Sequence, residues 1–334
     1  MNGDATPNPW PPLPLAGWEP TRATLHMMTQ IVGKTRLALA PLQNHWWQVA
    51  LYLTTHGLTT SSMQFGQRAV NIEFNFRAHQ VLIETSDGRQ EAILLSSQSV
   101  AEFFREYMDA LAALKIDVQL MPVPVEVPVA IPFAQEQQHA YFDADAVQRW
   151  WQILVSTARV MERFRSRFVG KASPVHFFWG SFDLATTRFS GRPAPRHPGG
   201  APNCPDYVMV EAYSHECSSW GFWPGAGPIA EPAFYAYSYP EPTGYAQWAV
   251  RPDGAYYHPD LREFVLPYEK VRTAGDPDAV LEAFLQNTYE AAAETGKWDR
   301  AALDRTHEPP TPQLTPALRP SPRSPRSSTT APRS

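Results

Sequence analysis

The chain has 334 residues, a formal net charge of −5, 43% hydrophobic and 12% aromatic content and 11 tryptophans. That length holds one large composite body or two ordinary domains with a sizeable core, and the ring content is high enough for some aromatics to line a cleft, although core and interface packing is the plainer use. Five arginines against Glu308 alone lie from Arg305 onward, so the body is more acidic than the whole. Phosphate contacts need clustered Lys and Arg, which excludes nucleic acid and anionic membrane surfaces as general partners of that body.

Cys204 and Cys217 form no CxxC pair, which argues against a disulfide framework or a structural zinc site. With no basic leader ahead of an apolar run and no stretch long enough to span a bilayer, the expected location is the cytoplasm.

In chain order, the prolines from Pro7 to Pro14 make the start extended, with Trp10 and Trp18 as anchors on the body. Leu25, Met28, Val32 and Leu39 recur at helical spacing, predicting a helix over Thr21–Leu39 that Pro41 ends. Val70, Ile72, Phe74 and Phe76 alternate with polar residues and predict a half-buried strand, followed by a second over Val81–Thr85 and a turn at Asp87-Gly88. Ser99 and Glu102 form a capping box ahead of a Phe103–Leu114 helix. Pro122 to Pro132 mark an extended connector. Asp143 caps a long helix carrying Trp150 and Met161 on one face, and Asp276 with Pro277 caps a last one.

Val32-Gly33-Lys34 and Val169-Gly170-Lys171 each end an apolar helix face, and an offset of about 131 residues sets His45 on His176 and Leu51 on Phe182. The expected fold class is therefore α+β: two related halves, each helix, antiparallel strands and helix, packed as one pseudo-twofold body. The halves run over 10–121 and 143–304, joined by a connector over 122–142. The Pro/Ser/Arg composition of 305–334 reads as a disordered tail.

No motif names a reaction. Gly33-Lys34-Thr35 lacks the earlier glycine of a phosphate loop, since position 28 is Met, and it follows a helix where that motif follows a strand. In VHFFWGSFDLATTRFSGR, His176 and Asp183 are candidate catalytic residues. On a regular strand they face opposite sides, so they act together only if Gly180 bends the chain; a shared structural role with His45 in a turn is the plainer reading. Trp179, Arg188 and Arg192 are candidate substrate contacts, the arginines for an anionic group, with structural ion pairs as the alternative.

Alternation through Val208, Val210 and Ala212 predicts a strand that continues to His215, Glu216 and Cys217, with His215 and Cys217 on one face, roughly 7 Å apart and too far for a thiolate–imidazole pair. His215 and Glu216, with His176 from a neighbouring strand, form a candidate catalytic and metal-ligating set for a divalent ion such as zinc or iron. Tyr235 and Tyr237 share a strand face with Tyr239 and suit a sugar or planar ligand; a packed sheet face is the commoner use. Glu231, at the start of that strand, is a further substrate-binding candidate. The loops over 192–205 and 221–232 are long enough to be lids.

The stretches VHFFWGSFDLATTRFSGR, HPGG, YSHE, GFWPG and EPAFYAYSYPEP, with WPPLPL and NHWW near the start, resemble the bacterial family catalogued as domain of unknown function 5996 over nearly the whole chain from Trp10 to about Arg300. The resemblance implies a bacterial source and brings no reaction, cofactor or catalytic residue with it. The leading expectation is a small-molecule enzyme, in one version metal-assisted, with its site in the second half. The rivals are a noncatalytic binding module with an aromatic cleft and a scaffold without a pocket.

Overall fold

The computed structural model describes residues 8–306; the expected tail from Arg305 lies almost wholly outside them. Helix α1 spans Leu15–Leu39 and begins earlier than the periodicity predicts. Pro20 lies in its second turn, so the ladder lacks the bond to the Ala16 carbonyl there, and the helix is held on either side by the burial of Trp18 and Thr21. A 3-10 segment, Asn44–Val49, leads into β1 (Tyr52–Leu53), β2 (Gly57–Thr59), β3 (Met63–Phe65), β4 (Arg68–Asn75), β5 (Gln80–Thr85) and β6 (Gln90–Leu94). These strands form one antiparallel sheet in the order β1-β2-β4-β5-β6, with β3 also on β4. Helix α2 (Val100–Ala113) starts on the predicted capping box: Ser99 Oγ accepts from the Glu102 N–H while Glu102 accepts from the Ser99 N–H.

The proline-rich connector runs extended to α3 (Ala144–Ser166), which Asp143 caps. The second sheet follows: β7 (His176–Phe178), β8 (Asp183–Pro193), then helix α4 (Asp206–Ala212), β9 (His215–Trp223), β10 (Ala233–Tyr239), β11 (Tyr256–His258) and β12 (Glu263–Pro267). Its order is β11-β12-β10-β9-β8-β7, all antiparallel. Short α5 (Tyr268–Arg272), α6 (Pro277–Thr295) and α7 (Arg300–Leu303) close the chain, α6 capped by Asp276 with Pro277 in its first turn. The α+β class thus holds. The strand read through Val208–Tyr213 is instead α4, because Pro205 and Asp206 start a helix there.

The two sheets meet edge to edge. Leu51, just before β1, exchanges two backbone hydrogen bonds of 2.9 Å with Phe177 of β7. In the chain the first sheet lies between α1 and α2 and the second between α3 and α6, the second with α4 inserted after β8 and with β10 paired to β12. This meeting does not confirm the duplication expected at an offset of 131 residues. Nor do His45 and His176 share a setting, the first lying in the 3-10 segment with φ 60° and the second in a strand.

One continuous core crosses both halves. Trp150 of α3 is at its centre, stacked on Phe182 at 4.9 Å and Trp18 at 5.7 Å and edge-on to Phe76 and Phe177. Trp10 and Trp18 are the anchors the sequence suggests: both are buried, and the Trp10 indole N–H donates to Asp278 at 3.1 Å.

Helix α1 reaches the second sheet through a glycine. Trp179 lies flat on Gly33, where an added Cβ would come within 2.3 Å of the indole, and its N–H donates to the Val49 carbonyl at 2.8 Å. An alanine would gain about 1 kcal/mol of helix propensity but lose about 1–3 kcal/mol or more to overpacking. Gly33→Ala is expected to lower unfolding free energy in a denaturant titration followed by Trp fluorescence; an unchanged or higher midpoint would contradict this packing.

Candidate active site

The register of the second sheet sorts the sequence-nominated residues onto two faces. Tyr235 pairs with Gly221 and Gly221 with Ala185, which pairs with His176; Tyr237 pairs with Ser219 and Ser219 with Thr187. One face therefore carries His176, Asp183, His215, Tyr235, Tyr237 and Glu263, with Ala185, Thr187, Ser219 and Gly221 as a floor of small residues. The other face packs on α3 and α6 and carries Arg188 and Glu216.

On the outer face, Asp183 is the focus. It is buried, and both Tyr235 Oη and Ser181 Oγ donate to its carboxylate. Tyr235 reaches it by lying flat over Gly221, where a Cβ would come within 2.3 Å of the ring. The chain reverses between Phe178 and Asp183, which pair directly, so His176 and Asp183 do share a face, as the Gly180 bend allows. Tyr237 stacks on Tyr235 at 6.1 Å, and its hydroxyl hydrogen-bonds Tyr213 at 2.6 Å. Burial holds all three phenols well above their ordinary pKa, and the Asp183 charge adds to this for Tyr235.

Two carboxyls that the sequence reading did not nominate complete the group. Glu126, in the connector at φ 58°, lays its carboxyl over Gly180, and Glu263 sits opposite Tyr237 on β12. Glu126 reaches solvent and Glu263 is half-buried, yet desolvation, reinforced by the Asp183 charge, pushes each up to about 7. Both stand within the field of Asp183, and the surface they border with Tyr235 and Tyr237 is the candidate cleft. Neither carboxyl has a hydrogen-bond or ion-pair partner among the described residues. Desolvation also raises Asp183, against the hydrogen bonds from Ser181 and Tyr235 that lower it.

The cleft has a roof of two segments. The Glu126 N–H donates to the Pro202 carbonyl at 2.7 Å and Asn203 Nδ2 to the Val127 carbonyl at 3.0 Å. His197, in the loop anticipated as a lid, stacks on Tyr213 at 4.7 Å and Tyr239 at 4.9 Å. Cys204, in the same loop, lies within the fields of Glu126, Asp206 and Lys34 of α1. A separate open hollow of about 740 Å³ lies beside Trp10 and α6, where the charges satisfy one another, with Arg159 and Arg163 both on Asp278.

The other nominated residues have structural work. Arg188 is buried on the helix face, its guanidinium 3.5 Å from the Phe164 ring and 4.4 Å from Tyr289, and it donates to the Phe164 carbonyl. Burial lowers it to about 9, and it is placed to bind no substrate. Arg192 pairs with Glu216 and donates to the carbonyls of Gly296 and Lys297. Trp179 wedges α1 against the turn, and Glu231 is exposed in the loop before β10.

The proposed metal set does not converge. Glu216 points to the helix face onto Arg192 and Ser190, His215 packs on His45 at 5.6 Å, and His176 is enclosed by Trp47, Tyr52 and Phe178. Among the described residues no three His, Cys, Asp or Glu side chains are grouped to hold a metal ion. Both His176 ring nitrogens lack partners, and burial first, then the nearby Arg165 and Arg36, drives it down to about 3.

A family model described as Family of unknown function (DUF5996) matches residues 10–305. The chain belongs to that family. Neither a curated protein nor a solved structure matches it, so the DUF5996 cleft is read from its own residues. Glu126 escaped the sequence reading because it lies in a proline-rich segment taken as a plain linker. A lone carboxylate within VPVPVEVPV was the available signal. Glu263 sits in a five-residue strand with no motif around it, and among the described residues of DUF5996 no helix is long and apolar enough to cross a membrane.

The carboxyl shifts fix a pH dependence. A carboxyl whose pKa rises on folding favours the folded state while protonated. Its contribution is fully present below about 4.5 and is lost as pH climbs through about 7. Glu263→Gln, which cannot ionise, is expected to melt higher than the wild type at pH 8 and level with it at pH 4. Calorimetry showing equal melting at pH 8 would contradict the desolvated setting. His176 acts with the opposite sign: its neutral form contributes above about 6.5, and this is lost as pH falls toward 3.

Proposed function

We propose that this protein is a cytoplasmic small-molecule enzyme that works by carboxyl acid/base chemistry in the cleft roofed by the connector and the 194–214 segment. The observation that carries the reading is the meeting of Glu126 and Glu263, neither hydrogen-bonded, around an Asp183 pinned by Tyr235 and Ser181. A carboxyl poised near 7 gives and takes a proton with equal ease at neutral pH, which is the condition for general catalysis. Glu126 and Glu263 are the proton-transfer pair in this reading. Asp183 is the fixed charge that keeps them there, and Tyr235 and Tyr237 present a flat surface over small residues for the substrate to lie on.

No step is routed through a metal, because the residues nominated to hold one lie on different faces. A noncatalytic module is the second reading, supported by the stacked Tyr235–Tyr237 pair, which grips a planar or sugar ligand without any chemistry.

The two separate in one experiment. Purified protein is incubated with a polar metabolite extract and the mixture followed by mass spectrometry. Wild type is expected to consume a component, and Glu126→Gln and Glu263→Gln to slow its loss by about 10²-fold or more while remaining folded. A component retained by the protein but never consumed would reject the enzyme and favour the module.

A further inference from the structure

We propose that Lys34 is the anion-binding residue of this cleft, so that its ligand carries a carboxylate or phosphate at the α1 end and hydroxyl or amine groups toward Asp183 and Glu263. The proposal rests on reading the cleft as a small-molecule site and adds the chemical class of what enters it.

Lys34 belongs to the run of α1 residues that packs into the body, and only 2% of it is exposed. Among the described residues its ammonium makes no hydrogen bond and no ion pair. Two other buried cations each have a closer partner than Lys34 has: Arg188 donates to a carbonyl and stacks on Phe164, and Arg36 lies over the Tyr52 ring at 5.4 Å. Lys34 has only the Trp179 ring, 5.6 Å from its Nζ, and the thiol of Cys204.

The stem of Lys34 is buried while its ammonium keeps a small opening, and a single cation–π contact at that distance offsets little of what partial desolvation costs. The position is therefore poor for stability alone and suits an incoming charge. Burial pushes Lys34 down to about 8, which still leaves most of it protonated at neutral pH.

The charge pattern sets the ligand's polarity. Lys34 lies over Trp179, Glu126 lays its carboxyl over the next residue, Gly180, and the same turn ends at Asp183, so one turn gathers the ammonium and the carboxyls, with Cys204 in the fields of Lys34 and Glu126. Three carboxyls share that cleft with one ammonium, yet none of them pairs with it. A ligand with an anionic end for Lys34 and a hydrogen-bond-donating end for the carboxyls matches both ends at once.

Thermal melting of the full chain tests this, with inorganic phosphate or malate titrated against chloride at constant ionic strength. The expected result is a saturable rise of about 2 °C in the wild type, retained in Lys34→Arg and abolished in Lys34→Met, which itself melts no lower than wild type in chloride. No rise in the wild type, or an equal rise in Lys34→Met, overturns the proposal. Should Lys34→Met fail to fold, trace acetylation of wild-type lysines decides. Lys34 must be protected by the same anions while Lys115, Lys270 and Lys297 are not, and its reacting equally with and without them overturns the assignment. A protein that binds these anions through Lys34 but consumes nothing from the extract keeps this inference and rejects the enzyme reading. One that consumes a component yet ignores the anions does the reverse.

Discussion

Two backbone hydrogen bonds between Leu51 and Phe177 fix how the halves of this molecule sit. They join the edge of one antiparallel sheet to the edge of the other and so remove an exposed edge from each. They also bring the end of α1 against the turn after β7, where Trp179 closes on Gly33 and the His26 ring bonds the Gly180 carbonyl at 2.9 Å. Every wall of the cleft follows from that seam. Lys34 comes from the first half, Glu126 from the connector, and Asp183, Tyr235 and Glu263 from the second sheet. The site belongs to the join, not to either half.

Alternation along the strands then divides the polar residues of the second sheet by purpose. Arg188 and Glu216 face the helices and serve as internal ties, with Arg188 stacked among Phe164, Phe168 and Tyr289. Asp183, Tyr235 and Tyr237 face the roof. Small side chains at Ala185, Thr187, Ser219 and Gly221 keep the sheet low, and over Gly221 that low floor is what lets the Tyr235 ring lie flat and reach Asp183.

Much of the scaffold was legible in the letters, because it rests on local rules. The Ser99–Glu102 box, the Asp143 and Asp276 caps, the Val70–Phe76 alternation and the shared face of Tyr235 and Tyr237 each need only neighbours in sequence. The site was legible in half: Asp183, Tyr235 and Tyr237 were nominated, while Glu126, Glu263 and Lys34 were not. Those three have no local signature, since each gains its character from groups tens to more than a hundred residues away. In the letters Lys34 figures only in the incomplete phosphate-loop motif and in the Val32-Gly33-Lys34 match to Val169-Gly170-Lys171, neither of which marks a buried charge. The strand expected through Val208–Ala212 failed because a two-residue alternation in five residues also fits one and a half helical turns, and Pro205 followed by Asp206 decides for the helix.

The roof has a mechanical property of its own. Its two segments are stitched to each other, Glu126 to Pro202 and Asn203 to Val127, and the ends of the longer one are clamped by the Ala194 N–H on the Ser214 carbonyl at 3.0 Å. A loop pinched at its base and sewn to its neighbour is held as one unit with it. The cover over the Tyr235–Tyr237 face and the seat of the Glu126 carboxyl are therefore set by the same few bonds, and loosening one loosens the other.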